Sequence, residues 1–491
     1  MKRFRVGSIS CLLVLVFLVT FCFLFKRWSD ELWAEQSIAA SNLFRPKAYT
    51  EATLWERITK ARDIVGCSPR TVCSTSSFSS WFPKNKERSY NSGDAESCPF
   101  YFKFIREDLK PWAESGITRE AMEIAKTKAS FRVMIVDGRL FMESYHHCFQ
   151  TRDLFTVWGL VQLLQFYPGM VPDLDLMFYC GDRTVVRKDQ HKNHNKPPPP
   201  VFHYCGSTHS YDIPFPDWSF WGWPEIKIPP WEGLVQDIRK GSQRVKWKDR
   251  DSKAYWKGNP WVSPKRKELM KCSKTPGWNA QLYAQDWAKE SKKGFRDSKL
   301  SDQCNHRYKI YTEGIAWSVS LKYIMACDSP TLLITPEYHD FFLRGLLPRQ
   351  HYWPITSNKK CQSIEFAVNW GNAHPEESMW IGREGSDFIW NELKMKYVYD
   401  YMLHALTEYS KLLKYKPTVT EKAAEYCSGT ILCIANEAEK VYMRESMIKG
   451  SSRSNPCRLD DAIADVKAVR NFTVKKEKSV SDVRRMEEGT T

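Results

Sequence analysis

Asp182 is the residue of this sequence best placed to take up a proton. It follows the apolar segment Asp175–Tyr179, which predicts a buried strand, and it stands directly behind Gly181. Ligands of open α/β sheets bind at the carboxyl ends of strands, and a carboxylate there can act as a general base. Gly-Asp is also a common turn pair, so a purely structural turn is the alternative.

A possible anion site lies in Tyr308–Cys327, where a predicted strand runs through Glu313-Gly314 into a predicted helix that includes Ser318. Free backbone N–H groups and the helix dipole meet at such a junction and attract phosphate. An ordinary βα unit of the core gives the same pattern, and both interpretations stay open on this segment alone.

A third candidate is the segment Ala254–Arg266, which contains three basic residues. It predicts a strand that ends in a Gly-Asn-Pro turn, with Lys257, Lys265 and Arg266 on either side. Arginine and lysine at such a loop can neutralise a diphosphate. The alternative is a solvated basic loop.

An aromatic cluster and two acidic pairs complete the candidates. Trp218, Trp221 and Trp223 could stack on a sugar or an acceptor, although a packed core is the alternative. Paired carboxylates suit a divalent metal, but Asp173-Leu-Asp175 begins a predicted strand and Asp249-Arg-Asp251 lies in a charge run. We reject both pairs and expect no metal.

The elements that position these residues alternate between strands and helices, which predicts a parallel α/β protein with two lobes. A β-hairpin is expected to turn at Gly138, and Arg152–Tyr167 is predicted as a strongly amphipathic helix. Trp278–Glu290 is predicted as a helix, and three successive helices are expected at Ser363–Asn369, Glu376–Leu393 and Val398–Lys414. Residues 417–491 lose apolar density and predict a charged, loosely ordered tail.

Composition narrows the class of protein. The 491 residues carry a formal charge of +16, which attracts many kinds of anion. We find no zinc-finger spacing, basic zipper region or RNA-recognition signature and expect no nucleic-acid partner.

The N-terminus predicts a membrane anchor. Val6–Phe25 is 20 residues without a charge, about the length needed to span a bilayer. It ends against Lys26-Arg27, a poor cleavage site, so an uncleaved signal anchor is favoured over a cleaved signal peptide. Basic residues before the span place residues 1–5 in the cytosol. Residues 26–95 would then form a lumenal stem.

Cysteine usage agrees with a lumenal, oxidising compartment. Thirteen of the 15 cysteines lie outside the predicted span. An odd number leaves at least one of them free or paired between chains. The sequon at Asn471 predicts a glycosylation site.

Several motifs occur together in order: PDLDLMFYCGD, DIPFPDWSFWGWPE, AYWKGNPWVSPKR, QCNHRYKIYTEGIAWSVSLKYIMACDS, FFLRGLLPRQHYWPI and a helix with EYSKLL. Over about residues 96 to 416 this combination resembles the CAP10 / Rumi-like family of glycosyltransferases, glycosyltransferase family 90. It is most similar to the plant-type branch of the protein O-glucosyltransferase homologues.

The resemblance implies a GT-B-like fold of two Rossmann-like lobes with an interlobe cleft, here an acceptor-side lobe at 96–230 and a nucleotide-sugar lobe at 231–416. It also implies a UDP-sugar donor, inversion at the anomeric carbon, no required metal, Asp182 as the base and a disulfide between Cys304 and Cys327. The implied donor contacts are Gly258, Asn259, Arg266, Gly314, Ile315, Ala316, Trp317, Ser318, Val319 and Ser320.

The sequence departs from the family pattern at two arginines, which are replaced by Pro260 and Ser320. Lys257 or Lys322 could supply the missing charge. The chain ends in Glu-Glu-Gly-Thr-Thr, without the retrieval signal of animal members. With the predicted anchor, this favours the Golgi or endoplasmic reticulum membrane, with a lumenal catalytic body.

The sequence therefore predicts a single-pass type II membrane protein that transfers glucose or xylose from a UDP-sugar to a protein or cell-wall glycan acceptor. The lost arginines motivate an alternative of another class, a catalytically silent glycan-binding or scaffold protein on the same fold.

Overall fold

The computed structural model describes Cys73 and residues 96–191, 197–275 and 277–489. The predicted membrane span and, apart from Cys73, the predicted stem lie outside these residues. None of the helices found in the described ranges is long and apolar enough to cross a bilayer.

Strands and helices alternate along much of the described chain. The strands are β1 (Phe131–Val136), β2 (Arg139–Ser144), β3 (Leu174–Phe178), β4 (Phe202–His203), β5 (Gly206–Ser207), β6 (Ile213–Pro214), β7 (Asp251–Gly258), β8 (Ala280–Ala284), β9 (His306–Tyr311), β10 (Thr331–Ile334), β11 (Tyr338–His339), β12 (Trp353–Ile355) and β13 (Ala424–Tyr426). The helices are α1 (Phe104–Leu109), α2 (Arg119–Lys126), α3 (Arg152–Phe166), α4 (Trp231–Gln243), α5 (Pro264–Cys272), α6 (Trp287–Lys292), α7 (Ser320–Met325), α8 (Lys360–Ala373), α9 (Pro375–Asp387), α10 (Met395–Ser410), α11 (Ser428–Ile434), α12 (Glu437–Glu445) and α13 (Ala462–Glu488).

The first sheet has the strand order β13-β2-β1-β3-β4-β6 and mixes antiparallel with parallel pairs. Its β1–β2 hairpin closes through Asp137 and Gly138, whose φ angles are 51° and 71°. Two left-handed residues match the twist of the flanking strands. The predicted hairpin is thus confirmed, and β3 runs beside it toward Asp182.

The second sheet has the order β12-β10-β9-β7-β8, and every pair is parallel. Parallel strands require crossover segments, and α5, α6 and α7 lie in the connections β7–β8, β8–β9 and β9–β10. All loops that follow these strands therefore meet at one edge. The structure confirms an α/β protein, although only this second sheet is purely parallel.

Helix α3 confirms the helix predicted at Arg152–Tyr167. It is buried along nearly its whole length and not on one face as the amphipathic prediction implied, because apolar residues occur on all of its sides. Helices α8, α9 and α10 confirm the three successive helices expected in this region. The helix predicted over Trp278–Glu290 is wrong: residues Ala280–Ala284 form the edge strand β8 and pair with β7. Hydrogen bonding to a neighbouring strand outweighs local helix propensity there.

The loose order predicted for residues 417–491 is also wrong for the described part. Strand β13 joins the first sheet beside β2, and disulfides join Cys427 to Cys73 and Cys457 to Cys98. Phe472 of α13 stacks on Phe100 with ring centroids 4.1 Å apart. Few apolar residues suffice because these elements each cover only one face of an existing core.

Two cysteine predictions agree with the structure. Cys304 and Cys327 form the expected disulfide, and Cys205 is a free, buried cysteine, as an odd count requires. Asn471 lies exposed on α13, and its glycosylation stays a prediction.

Candidate functional site

A cleft of about 2090 Å³ is lined by segments connected to both sheets. From the first sheet come the turn after β3 and residues 146–152. From the second come the loop after β7, the turn after β9 and residues 285–303. The cleft brings Asp182, Arg266 and Gly314 together, although they lie far apart in the sequence.

Three contacts fix the turn that carries Asp182. A disulfide joins Cys180 to Cys148. Arg152 donates to the Cys180 carbonyl oxygen over 2.9 Å. His203 lies with Nε2 at 2.9 Å from the Gly181 carbonyl oxygen. The backbone on the N-terminal side of Asp182 is therefore rigidly placed at the end of β3.

The Asp182 carboxylate is oriented by Arg152, whose Nη2 lies 3.1 Å from Oδ1. Arg152 is itself buried, with its guanidinium 4.4 Å from the Trp218 ring centroid and 5.2 Å from that of Phe149. The Asp182 side chain keeps 40% of its surface exposed. Because no hydrogen bond from the described residues reaches Oδ2, this oxygen can accept a proton from a ligand hydroxyl.

The loop after β7 is built by local caps. Asn259 Oδ1 accepts from Trp261 N over 2.9 Å, and Ser263 Oγ caps α5 at Lys265 N. A side chain at Gly258 would clash with the Trp256 ring, since an added Cβ would lie 2.7 Å from it. Gly258 and Asn259 both line the cleft, as expected for the predicted donor loop.

Arg266 joins this loop to the turn after β9. Its Nε donates to the Glu313 carbonyl oxygen at 2.9 Å, Nη1 to that of Asn259 at 3.2 Å, and Nη2 to Ser318 Oγ at 3.2 Å. Burial lowers the pKa of Arg266 to about 10, which still leaves it charged at neutral pH. Its donors hold the protein backbone as well as facing the cleft.

The turn after β9 departs from its prediction. The helix begins at Ser320 and is only six residues long, so the expected helix start near Gly314–Ser318 is wrong. The Arg266 contacts at Glu313 and Ser318 hold this segment as a non-helical turn instead. The turn residues that line the cleft are Gly314, Ile315, Trp317, Ser318, Val319 and Ser320. Ala316 is buried in the core, so its assignment as a donor contact is a further correction.

Lys322 does not face the cleft. It is buried, and Nζ lies 3.1 Å from Asp217 Oδ2 and 2.9 Å from Ser219 Oγ. Burial acts to lower the pKa of Lys322, but the Asp217 carboxylate outweighs it and raises that pKa. The proposed substitute for a missing arginine is therefore a structural ion pair, which corrects this part of the donor-site prediction.

The three tryptophans of the aromatic cluster differ in their position relative to the cleft. Trp218 borders the cleft but is only 1% exposed and packs against Tyr204, Trp223 and the Arg152 guanidinium, so its predicted stacking on a ligand is corrected. Trp223 lines the cleft, is half-buried, and donates from Nε1 to Gln150 Oε1 over 2.7 Å. Trp221 is fully buried and donates to the Tyr399 hydroxyl. It lies so close to Gly159 that a Cβ there would sit 2.5 Å from its ring. Its acceptor-side assignment is wrong, because packing against α3 uses the whole ring.

The charge of the cleft was not predicted. Ten basic residues line it against three acidic ones, which suits an anionic ligand. The basic residues are Arg152, Arg183, Lys227, Lys257, Arg266, Lys267, Lys292, Arg296, Lys299 and Lys309, and the acidic ones are Asp182, Glu225 and Asp237. The lysine-rich run at 289–299 was the available signal, but its pattern is also that of an ordinary solvated helix face.

Glu225 is a second carboxyl that sequence reasoning missed. Its Oε2 accepts from Thr151 Oγ1 over 3.1 Å, and Oε1 is buried without a hydrogen-bond partner among the described residues. Burial, with a smaller contribution from Glu439, raises the pKa of Glu225 to about 7. Asp182 and Glu225 thus face the same cleft in different environments.

The rejected acidic pair Asp173-Leu-Asp175 does not form an open metal site, since Asp175 binds Arg132 through both oxygens at 2.6 and 2.5 Å. One described group has metal-ligand atom types close together, namely Cys98, His404 and Cys457. Its two cysteines are joined in a disulfide, so their sulfurs are not available as thiolate ligands.

Comparison with known proteins identifies the family of the chain. The family model described as Glycosyl transferase family 90 matches residues 93–487. The chain is 28% identical over 346 residues to Protein O-glucosyltransferase 1 of Bos taurus and of Homo sapiens, covering 67% of this chain and 84% of each relative. It is 25% identical over 332 residues to O-glucosyltransferase rumi of Drosophila melanogaster, covering 65% and 78%. Because the family model spans most of the sequence, this chain belongs to glycosyl transferase family 90.

Proposed function

We propose that this glycosyltransferase transfers glucose or xylose, with inversion, from a UDP-sugar to a hydroxyl of a protein or glycan acceptor. The observation that carries the proposal is a single cleft in which the partly exposed Asp182 carboxylate faces the same space as Arg266 and the turn at Gly314–Ser320. The relatives are named as protein O-glucosyltransferases, which supports a protein acceptor.

The proposed reaction has four coupled changes. The Asp182 carboxylate takes the proton of the acceptor hydroxyl, and that oxygen forms a bond to the anomeric carbon. The bond from this carbon to the β-phosphate oxygen breaks, and its electron pair leaves with UDP. Arg266 and the backbone of the Gly314–Ser320 turn stabilise the charge on the departing diphosphate. Asp182 then releases its proton to solvent.

The rest of the proposal concerns the arrangement of donor and acceptor in the cleft and the cellular location of the protein. A GT-B arrangement would put the donor against the second sheet and the acceptor against the first, with Trp223 on the acceptor side. No metal is required in this scheme because basic side chains outnumber acidic ones around the cleft. We further propose a plant-type family member held in a Golgi or endoplasmic reticulum membrane by residues 6–25.

The test is a donor panel on the full-length chain in detergent, with UDP release measured from UDP-glucose and from UDP-xylose. Asp182→Asn is expected to lower kcat about 10³-fold, the range of a lost general base, while UDP still binds. Asp249→Asn, an exposed residue outside the cleft, is the matched control. An Asp182→Asn protein that works at the wild-type rate contradicts the assignment of the base.

A second candidate function is a catalytically silent glycan-binding or scaffold protein. The observation that favours it is Lys322, since this cation is paired with Asp217 rather than available to a phosphate. Titration calorimetry with UDP separates the two functions. Absence of binding at millimolar UDP supports the silent protein, and measurable binding with donor turnover supports the enzyme.

A further inference from the structure

The cations that line the cleft differ in what they already bind. Arg152 holds Asp182, and Arg266 holds three carbonyl oxygens and a serine hydroxyl. Lys257 donates to the Asp297 carbonyl oxygen at 2.5 Å, and Lys309 to that of Gln303 at 2.6 Å. A ligand phosphate that bonded directly to these four groups would compete with bonds that the fold requires, so Arg266 acts on a diphosphate through its charge and through the turn that it holds.

Arg183 is different. It is exposed, it lines the cleft and it directly follows Asp182. Among the described residues it forms no hydrogen bond or ion pair. An arginine in this state keeps the five donors of its planar fork for a ligand, and that fork matches two phosphate oxygens at once.

Arg183 lies close enough to Tyr338 for their charges to interact. Strand β11, which contains Tyr338, pairs with β5 of the first-sheet region. Burial and Glu337 raise the pKa of Tyr338, and the nearby Arg183 guanidinium acts in the opposite direction. The Tyr338 N–H donates to Glu313 Oε1 over 2.6 Å, one residue before Gly314. Arg183 therefore lies close to a residue that touches the turn after β9.

We propose that Arg183 binds the diphosphate of the donor and supplies a mobile positive charge at the leaving group. This assignment rests on the proposed function and deepens it. The same turn then presents the base, Asp182, and a cation for the departing phosphate, while Arg266 shapes the opposite wall. A free arginine can follow the diphosphate as the glycosidic bond lengthens, which the anchored Arg266 cannot.

The test compares UDP with uridine, because only UDP carries the charge that Arg183 would bind. Titration calorimetry on the full-length chain is expected to show UDP affinity falling about tenfold or more in Arg183→Gln, the size of a lost charge-assisted contact. Uridine affinity should stay within about twofold. Arg183→Lys should recover part of the loss, since lysine keeps the charge without the fork.

Arg187→Gln is the matched control. Arg187 is exposed on the same loop, pairs with Asp189 at 2.5 Å and lies outside the cleft, so its UDP affinity should not change. Equal UDP affinity in Arg183→Gln and wild type overturns the proposal, as does an equal fall for UDP and uridine, which would indicate a structural role. If the wild type binds no UDP at all, the proposed function itself fails.

Discussion

Asp182 and Arg266 face one cleft but are held in opposite ways. Asp182 leaves 40% of its side chain exposed and has one ion pair, to Arg152. Arg266 donates to the carbonyl oxygens of Glu313, Asn259 and Thr312 and to a serine hydroxyl, and it is half-buried. The carboxylate is thus presented to a ligand, whereas the guanidinium holds the turn in which a ligand would bind.

The difference follows from the chemistry of the two groups. A general base needs an accessible oxygen that is oriented but not saturated with donors. A cradle for a diphosphate needs fixed donors that require no reorganisation when charge develops. The first sheet positions the reactive carboxylate on a turn that is fixed by a disulfide. The second sheet positions the rigid turn in which the diphosphate would bind. Substitutions on the two walls can test this division, beginning with the largest expected effect.

Lys322→Met tests whether every cation near the turn after β9 serves the donor. The substitution leaves Asp217 buried without its cation, and we expect the free energy of unfolding to fall by about 3–5 kcal/mol. UDP affinity, measured on the folded protein below its unfolding midpoint, should stay within about twofold because Lys322 does not line the cleft.

The double variant Asp217→Asn/Lys322→Met is the control for that experiment. Removing the stranded charge should restore part of the lost stability. If Lys322→Met keeps its stability but binds UDP about tenfold more weakly, then Lys322 contributes to donor binding. The proposed difference between the two walls of the cleft would then be wrong.

Glu225→Gln sharpens the comparison on the wall that carries Asp182. The raised pKa of Glu225, about 7 against an ordinary 4.5, means that the folded protein holds a proton the unfolded chain releases. Its stabilisation is complete below pH 4.5 and is lost as the pH rises through 7. Between about pH 4.5 and pH 8, the free energy of unfolding of the wild type should therefore fall by on the order of 2–3 kcal/mol relative to that of Glu225→Gln.

Denaturant unfolding at the two pH values measures this difference. Glu232→Gln, which removes an exposed carboxylate on α4, is the control and should follow the wild type at both values. Parallel pH dependence of the wild type and Glu225→Gln would show that the Glu225 carboxyl is solvated and ionised in the folded protein.

The sequence sufficed for features that depend on neighbours in the chain. The Asp137-Gly138 turn and the glycine before Asp182 each carry a local signal, and each is found as predicted. The helix α3 is also found where it was predicted, although it is buried on all sides and not on one face. The predictions for Lys322 and Trp221 were wrong because the partners of these residues, Asp217 and Tyr399, are set by packing between distant segments. The prediction of a loosely ordered C-terminal region was wrong for the same reason, since β13 forms a strand only by pairing with β2.

Arg266→Lys has the smallest expected effect and the most direct bearing on the comparison. A lysine can reach one or two of the oxygens on Glu313, Asn259 and Ser318, but it cannot bridge all three, because it lacks the planar fork. The turn after β9 should loosen, and UDP affinity should fall about tenfold, worth about 1.4 kcal/mol.

Titration calorimetry measures this loss, and Arg239→Lys on the exposed face of α4 is the matched control. The charge is unchanged in Arg266→Lys, so weaker binding would follow from lost shape alone. UDP affinity equal to that of the wild type would mean that charge, and not the bridging geometry of Arg266, forms the donor site. The two walls of the cleft would then differ less than their contacts indicate.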